Sequence, residues 1–479
     1  MDSRDEGGTD GRQSFSRVLS KSSIDGTSAQ ENVASMIEAV IILERQALAR
    51  ADAGNTSPRP DDAGSEQVQR AAEDEVIRVM SLCARAAKLG SGPMAVAHAL
   101  RALETVRPSP SSSPSLSVAA AATPLSTPSV FVYSALLDVC AKAGAEQEAS
   151  LVMRMMNSDG IEPNVVSYSS YVSLFAATAA RGDRRAPYKA LQALEEMRTF
   201  GLCPNEFTYA SAIAACAGST TSIGCKPAVD LGRMLMKTMK RDGLELTAVP
   251  FNTLLSGCAK AVDRDADAMD VCWQLYADMQ EQAVPMTVIT YTTIIDAGAR
   301  ALDDRILGRG MEMLQSMAKQ GLRPNVVTFN ALFKAYAAAA RAAIDQGRAS
   351  RSTATRGTSG RGGRGGRGPR AQQHDPYQCT DPGTQKKRAK LLLDSAMQLL
   401  EEMRSMGLQP DVYSFNTLLS ACACAAAEGR KAPRRGLHAL ELMQQANVPP
   451  SAQYCSNCFP LLHRVSQTFP PALFFFFFA

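Results

Sequence analysis

The sequence predicts an all-α fold, a solenoid of helix-turn-helix hairpin repeats, and three observations carry that prediction. A methionine is followed twelve residues later by an aromatic six times: Met156 to Tyr168, Met197 to Tyr209, Met239 to Phe251, Met279 to Tyr291, Met317 to Phe329 and Met403 to Phe415. Around these pairs parts of one wording recur, drawn from an E-E-M or D-M ending, a Gly-Leu/Ile step, Pro-Asn or Pro-Asp, then V-x-T/S-Tyr/Phe. Ala, Leu and Met dominate the repetitive part, and these residues favour helix. A fixed period of one supersecondary unit is the signature of a solenoid.

The elements follow in chain order. Residues 1–30 are polar and rich in Gly and Ser, a composition that cannot bury a core. An apolar-periodic segment predicts a short helix over 33–48, and a Pro/Asp/Gly linker follows near 51–64, so 1–72 reads as a mostly disordered N-terminal region. From Glu73 the repeat wording begins faintly, through Val76, Cys83-Ala84-Arg85-Ala86 and Ala99 to Glu104. This is a degenerate first repeat, closed by a Pro/Ser/Ala linker and spanning 73–129. Clear units then run 130–164, 165–205, 206–247, 248–287, 288–325, 326–411 and 412–451, with a partial unit at 452–458. Each holds two apolar-periodic segments, in the first unit Val132–Ala143 and Glu146–Ser158. Gly144 punctuates between them, and Gly160 with Pro163 ends the second.

Length varies in one place only. From aromatic to methionine within a unit the distances are 23, 29, 30, 28, 26, 74 and 28 residues, whereas methionine to the next aromatic stays at 12. The turn between the two helices of a unit therefore tolerates insertion, because extra loop at a solvent edge costs little. The joint between units does not, because it sets how one hairpin stacks on the next.

Composition narrows the class. The net charge of +4 is unevenly placed: residues 341–390 carry 12 Lys/Arg against 3 Asp/Glu, and the first 75 residues carry 8 against 15. The repeat body is close to neutral, so bulk charge alone does not make it a nucleic-acid binder. Of 12 cysteines, Cys83, Cys140, Cys216, Cys258 and Cys422 share one repeat position on an apolar helix face, which reads as buried reduced thiols rather than a disulfide framework. No apolar run reaches the roughly 18 residues of a membrane span. Asp2, Asp5, Glu6 and Asp10 make the N-terminus acidic, unlike a secretory signal or an organelle transit peptide.

The consensus V-V-T-Y-N-x-L, C-A-K-A-G, A-L-x-L-x-E-M and G-L-x-P-N/D resembles the pentatricopeptide repeat family in its P-type form. The resemblance covers roughly 73–458. The tetratricopeptide alternative fits less well, since the only Trp is Trp273 and the Trp…Leu-Gly…Tyr wording is missing from unit starts. The resemblance implies a right-handed superhelix that binds single-stranded RNA, one base per repeat.

Two residues per unit would read the base edge, the fifth and the last. Here the pairs are Ser134/Asn164, Ser169/Asn205, Ala210/Thr247, Asn252/Thr287, Thr292/Asn325, Asn330/Asp411 and Asn416/Ser451. Short hydroxyl, amide and carboxylate groups suit that task because they present donors and acceptors at low entropic cost. The family's usual code implies the preference A-A-N-Y-A-U-C. Ala210/Thr247 departs from the code, because alanine cannot hydrogen-bond a base. At the second position Phe131, Val166, Phe207, Val249, Ile289, Val327 and Tyr413 would stack on unpaired bases. Lys142, Lys260 and Arg300 are phosphate candidates, joined by Arg361, Arg364 and Arg367 of an Arg/Gly tract. In any helical repeat, however, Asn, Ser and Thr at these places also serve as helix caps.

The Arg/Gly tract lies in a segment, 344–388, expected to be a disordered insertion between the two helices of its unit. Cys455-Ser456-Asn457-Cys458 lacks a second ligand pair and reads as core cysteines of the failing last unit, with no metal and no cofactor expected. No catalytic constellation appears, so an enzyme is not predicted. The tail 459–479 is expected to be irregular, and its five terminal Phe, Phe474–Phe478, suggest a truncated or misread end. A protein-binding tetratricopeptide-like scaffold and an RNA-processing enzyme lacking its catalytic module remain the alternatives. The resemblance alone points to a mitochondrion or chloroplast, to RNA and other RNA-processing proteins as partners, and away from membranes.

Overall fold

A computed structural model describes residues 62–107, 128–356, 382–426, 431–446 and 448–449, with a few helical positions between 37 and 45. Every regular element among the described residues is a helix. Seventeen follow one another: α1 (Asp62–Lys88), α2 (Gly92–Glu104), α3 (Val130–Ala143), α4 (Glu146–Ser158), α5 (Val165–Ala180), α6 (Ala186–Thr199), α7 (Glu206–Gly218), the single turn α8 (Thr220–Ile223), α9 (Cys225–Arg241), α10 (Ala248–Ala261), α11 (Ala268–Glu281), α12 (Val288–Ala301), α13 (Asp304–Lys319), α14 (Val326–Arg356), α15 (Pro382–Ser405), α16 (Val412–Ala426) and α17 (Lys431–Gln445). The chain divides into two units, 1–257 and 258–479.

In the first unit α1, α3, α5 and α7 are the first helices of successive hairpins, and each touches the next. Their partners α2, α4, α6 and α9 lie against their own first helix, and α2, α4 and α6 also touch the first helix that follows. In the second unit α12, α14 and α16 repeat the arrangement with α13, α15 and α17. Both units are thus local stacks of hairpins, in which a helix with one apolar stripe finds cover only from its neighbours.

The anchors of the twelve-residue step form the core. Met156, Met197, Met239, Met279, Met317 and Met403 are at most 1% exposed, and the aromatics twelve residues later at most 2%. Cys83, Cys140, Cys216, Cys258 and Cys422 are buried, and none of them forms a disulfide. Burial pushes Cys83, Cys140, Cys216 and Cys422 up to about 12, so these thiols stay protonated.

Two joints carry a further tie that the sequence pattern does not reveal. The phenol of Tyr209 donates to Asp242 at 2.5 Å, and Arg198 reaches the same carboxylate at 2.6 Å. Tyr133, Asp159 and Arg107 repeat the arrangement two joints earlier. In each case an Arg ending one hairpin meets a Tyr and an Asp from opposite ends of the next. The hydrogen bonds from Tyr209 and Arg198 hold Asp242 below the usual carboxylate range, while burial and the bond to Asp242 push Tyr209 up to about 12.

Three sequence expectations meet a different structure. Helix α1 begins at Asp62, ahead of the expected start at 73 and inside the presumed linker. The segment 344–388 is not irregular throughout: α14 runs on to Arg356 and α15 begins at Pro382. An alanine-rich stretch (Ala337 to Ala343, broken only by Arg341) carries the helix forward, and Ala343 and Ile344 are buried. The unit 206–247 has a broken connection, with α8 and Gly224 between its two long helices. The Arg/Gly tract, Ser451, the Cys455/Cys458 pair, most of the 107–129 linker, most of 1–61 and the tail 459–479 lie outside the described residues.

Candidate functional site

The constant joint is a sequence of fixed backbone events. Four residues after the methionine stands a residue in the left-handed region: Gly160, Gly201, Gly243, Ala283, Gly321 and Gly407. The amide of the next residue then donates back to the methionine carbonyl, as in Ile161 to Met156 at 3.0 Å and Leu202 to Met197 at 3.1 Å. This is the Schellman closure of a helix, with an apolar residue at its end. Eight residues after the methionine comes the last residue of the unit, which is also the N-cap of the next first helix. Asn164 accepts from the Ser167 amide, and Asn205 and Asn325 accept from those of Thr208 and Thr328, each at 2.9 Å. Asp411 accepts from the Ser414 amide at 2.8 Å, and Thr287 forms a capping box with Thr290. The expected reader at the end of these five units is therefore also a structural cap, and its side-chain oxygen is partly committed.

Two residues beyond the cap, the helix turns an apolar side chain to solvent at every unit. Phe131, Val166, Phe207, Val249, Ile289, Val327 and Tyr413 are each the second residue of their helix, and each is 52–67% exposed. The two residues that follow are sealed. Ser167, Thr208, Thr290, Thr328 and Ser414 are 0% exposed, and the core aromatic comes next.

The structure brings together four of the expected reading pairs, and in each a buried hydroxyl of the following unit lies between the two members. Ser134 and Ser167 are 2.8 Å apart, and Ser167 donates to Asn164 at 3.1 Å. Ser169 and Thr208 are 2.7 Å apart, with Thr208 donating to Asn205 at 2.8 Å. Thr292 and Thr328 are 2.9 Å apart, with Thr328 donating to Asn325 at 3.0 Å. Asn330 donates its amide to both Asp411 oxygens at 3.0 and 3.2 Å, and Ser414 lies 2.5 Å from the Asn330 carbonyl oxygen and 2.9 Å from Asp411. Ser134 and Ser169 are buried, while Asn205, Asn325 and Asp411 are exposed. Asn252 and Asn416 are half-buried, and no hydroxyl of this kind joins Ala210 to Thr247. The sequence pattern displayed the hydroxyl as the T/S of V-x-T/S-Tyr/Phe, but its partners stand 33 to 84 residues away.

The basic candidates separate. Lys260 is exposed and makes no ion pair among the described residues, and Lys142 shares its charge with Asp138. Arg300 caps the Ala259 carbonyl and pairs with Asp296 at 3.3 Å and Asp263 at 3.5 Å, so its charge is shared within the protein. Arg361, Arg364 and Arg367 fall outside the described residues. No group of three His, Cys, Asp or Glu side chains among the described residues could hold a metal ion, and no described helix is long and apolar enough to cross a membrane.

Comparison with known proteins agrees with the repeat wording. Residues 127–176 and 274–338 match the profile of the pentatricopeptide repeat domain, and 389–424 that of the PPR repeat family. The chain is 25% identical over 210 residues to a chloroplastic pentatricopeptide repeat-containing protein of Arabidopsis thaliana, covering 43% of this chain and 24% of that one. A mitochondrial pentatricopeptide repeat-containing protein of the same plant is 28% identical over 203 residues, 42% of this chain and 27% of its own length. Its small ribosomal subunit protein mL103 is 22% identical over 206 residues, 43% and 45% of the two chains. The match thus spans about a quarter of the first relatives' length. Among solved structures, the maize pentatricopeptide repeat protein PPR10 aligns at 16% identity and a TM-score of 0.35, covering 96% of this chain and 65% of that one. The same protein in complex with an 18-nt psaJ RNA element aligns at 16% identity and a TM-score of 0.26, covering 89% and 66%.

Proposed function

This chain is a pentatricopeptide repeat protein, and from that starting point we propose that it binds single-stranded RNA along the first helices of its repeats, reading about one base per repeat. The observation that carries the reading is the exposure of the second helical residue. Apolar side chains normally go inside, yet all seven units hold one at least 52% exposed at this single position. A repeated apolar face next to short polar side chains suits an unpaired base, which offers a π-face to stack and an edge to hydrogen-bond.

Under this reading the side chains bind and no bond of the RNA is made or broken. The exposed residues separate and stack the bases, the capped pairs read the edges, and Lys260 with Lys142 and the Arg/Gly tract steady the phosphates. The output would be steric: bound RNA is shielded from exonucleases or held out of a hairpin. Organellar transcript processing, stabilisation or translation is the setting we propose, in a mitochondrion or chloroplast, with P-type repeats and with other RNA-processing proteins as further partners.

In vitro selection of RNA by the full chain from a random single-stranded pool tests the reading. The expected winner contains A-A-N-Y-A-U-C or a close variant, and Asn330→Thr moves the U toward G. A pool with no enriched motif would sink base reading, and peptide capture without salt-dependent RNA affinity would make the repeats a protein scaffold.

A further inference from the structure

Resting on that reading, we propose that the buried hydroxyl at the third residue of four of the first helices is a specificity-positioning residue. Ser167, Thr208, Thr328 and Ser414 fix which member of the reading pair can donate a hydrogen bond to the base and which can only accept one.

Proton counting leads there, since a hydroxyl owns one proton. Ser134 lies 2.8 Å from the Val130 carbonyl and 2.8 Å from the Ser167 hydroxyl. If Ser167 gives its proton to Ser134, Ser134 gives its own to Val130. If Ser134 gives its proton to Ser167, Ser167 gives its own to Asn164. In both arrangements the Ser134 proton is spent inside the protein, so toward a base Ser134 only accepts. Thr292 repeats this with the Val288 carbonyl at 2.7 Å and Thr328 at 2.9 Å. The Asn partner has its oxygen turned in to the cap and its NH2 turned out, so it donates. The pair is acceptor then donor, the complement of an amino base, which offers N–H beside a bare ring nitrogen.

At Asn330 the polarity reverses. Asp411 has no proton to give, so the Asn330 NH2 faces it, and Ser414 takes the Asn330 oxygen. The second N–H of Asn330 is left to donate and Asp411 to accept, which complements a keto base with a carbonyl beside N–H. The hydroxyl thus holds an Asn-ended pair in the polarity that suits an amino base and the Asp-ended pair in the one that suits a keto base. One joint supplies an internal contrast. Where the fifth residue is Ala210 and has no proton to place, the third residue of the next helix is Pro250, which has none either.

Thr208 gives the sharpest test, because among the described residues it is the one hydrogen-bond partner of the Ser169 hydroxyl, on a residue 4% exposed. Thr208→Val keeps the shape and the backbone cap to Asn205 but frees the Ser169 proton. Affinities are measured for RNAs of the selected sequence carrying A, C, G or U at the nucleotide assigned to unit 165–205. The preference for A over G at that nucleotide should fall by about tenfold, the worth of one hydrogen bond. Thr208→Ser should restore it, and the other nucleotides should keep theirs. Thr328→Val, read at its own nucleotide, should lose less, since the Val288 carbonyl still takes the Thr292 proton. If Thr208→Val fails to fold, Thr208→Ala, which withdraws the same hydroxyl from Ser169, supplies the answer. An unchanged A-over-G ratio in a folded Thr208 variant that lacks the hydroxyl, or an equal loss at every nucleotide, overturns the proposal and leaves the hydroxyl a plain helix cap. A wild-type protein without preference at any nucleotide overturns the base-reading function itself, and this proposal with it.

Discussion

Phe207 and Tyr209 stand two residues apart at the start of α7, one 62% exposed and the other 0%, and their substitutions should separate binding from stability. Full burial of a Phe side chain is worth about 1.5–3 kcal/mol, and roughly a third of that applies to a ring so exposed, about 0.5–1 kcal/mol. Alanine's better helix propensity returns up to ~0.5 kcal/mol of it. Phe207→Ala should therefore move Tm by no more than about 2 °C. Its loss as a stacking surface is larger, about 1–3 kcal/mol per base, or roughly 5- to 150-fold in Kd. Tyr209→Phe inverts the pattern. It removes a hydroxyl bonded to Asp242 at 2.5 Å and shared with Arg198. A hydrogen bond to a charged group is worth about 1.5–3 kcal/mol, and the low end applies where solvent reaches the pair. Tm should fall several degrees while RNA affinity stays within about twofold. Fluorescence anisotropy on the selected RNA and a thermal melt read both variants. If Phe207→Ala binds like the wild type, or melts as early as Tyr209→Phe, the exposed row is packing surface and the reasoning fails.

Three further outcomes are expected. Ala283, at φ 52 where the other joints place glycine, should relax in Ala283→Gly with a gain of about 1 kcal/mol, seen as a higher Tm; a lower Tm would mean the turn is not strained. The fold should lose stability at both pH extremes, and a flat Tm from pH 8 to 12 would contradict it. Asp242 and Asp159 have folded values below the ordinary carboxylate range, so their contribution holds above that range and is lost as pH falls below it through the lowered folded values. Tyr209 is raised from 10.0 to about 12, so its contribution holds below 10.0 and is lost as pH rises toward about 12. Finally, iodoacetamide should alkylate the exposed Cys203 in the native protein and spare Cys83, Cys140, Cys216 and Cys422 until denaturant is added; equal labelling by mass spectrometry would contradict their burial.

The repeat was legible because its two anchors are core residues. A buried methionine and a buried aromatic tolerate few replacements, so their spacing survives where surface wording drifts. The exposed apolar row was legible only through the family resemblance, since an isolated Val or Phe reads as core in any single unit. The hydroxyl between the readers was in plain sight and carried no local signal. Thr208 matters through Ser169, 39 residues earlier, and helical periodicity says nothing about such a partner. Composition misled at 344–388: the Arg/Gly tract suggested an early end to helix, but the alanines before it extend α14. Arg300 shared a repeat position with two lysines, yet the Ala259 carbonyl and two aspartates hold it, because a guanidinium can serve several acceptors at once.

The joint after Met279 shows which quantity the fold protects. There the helix-ending glycine is replaced by Ala283, and the proline stands one place early, at Pro285, with Met286 before the cap Thr287. Two changes to the turn could have been absorbed by one more or one fewer residue. Instead the chain keeps Met279 and Tyr291 twelve apart and holds an alanine in the left-handed region, at a cost of roughly 1 kcal/mol. The same backbone closure forms, with the Val284 amide donating to the Met279 carbonyl at 3.0 Å. Adding a residue would turn the following helix by about 100°, moving Ile289 off the exposed row and Tyr291 out of the core together. Strain at one residue is the smaller penalty. The count is therefore held by packing and by the site at once, because a single helical turn carries the cap, the exposed side chain, the hidden hydroxyl and the core aromatic.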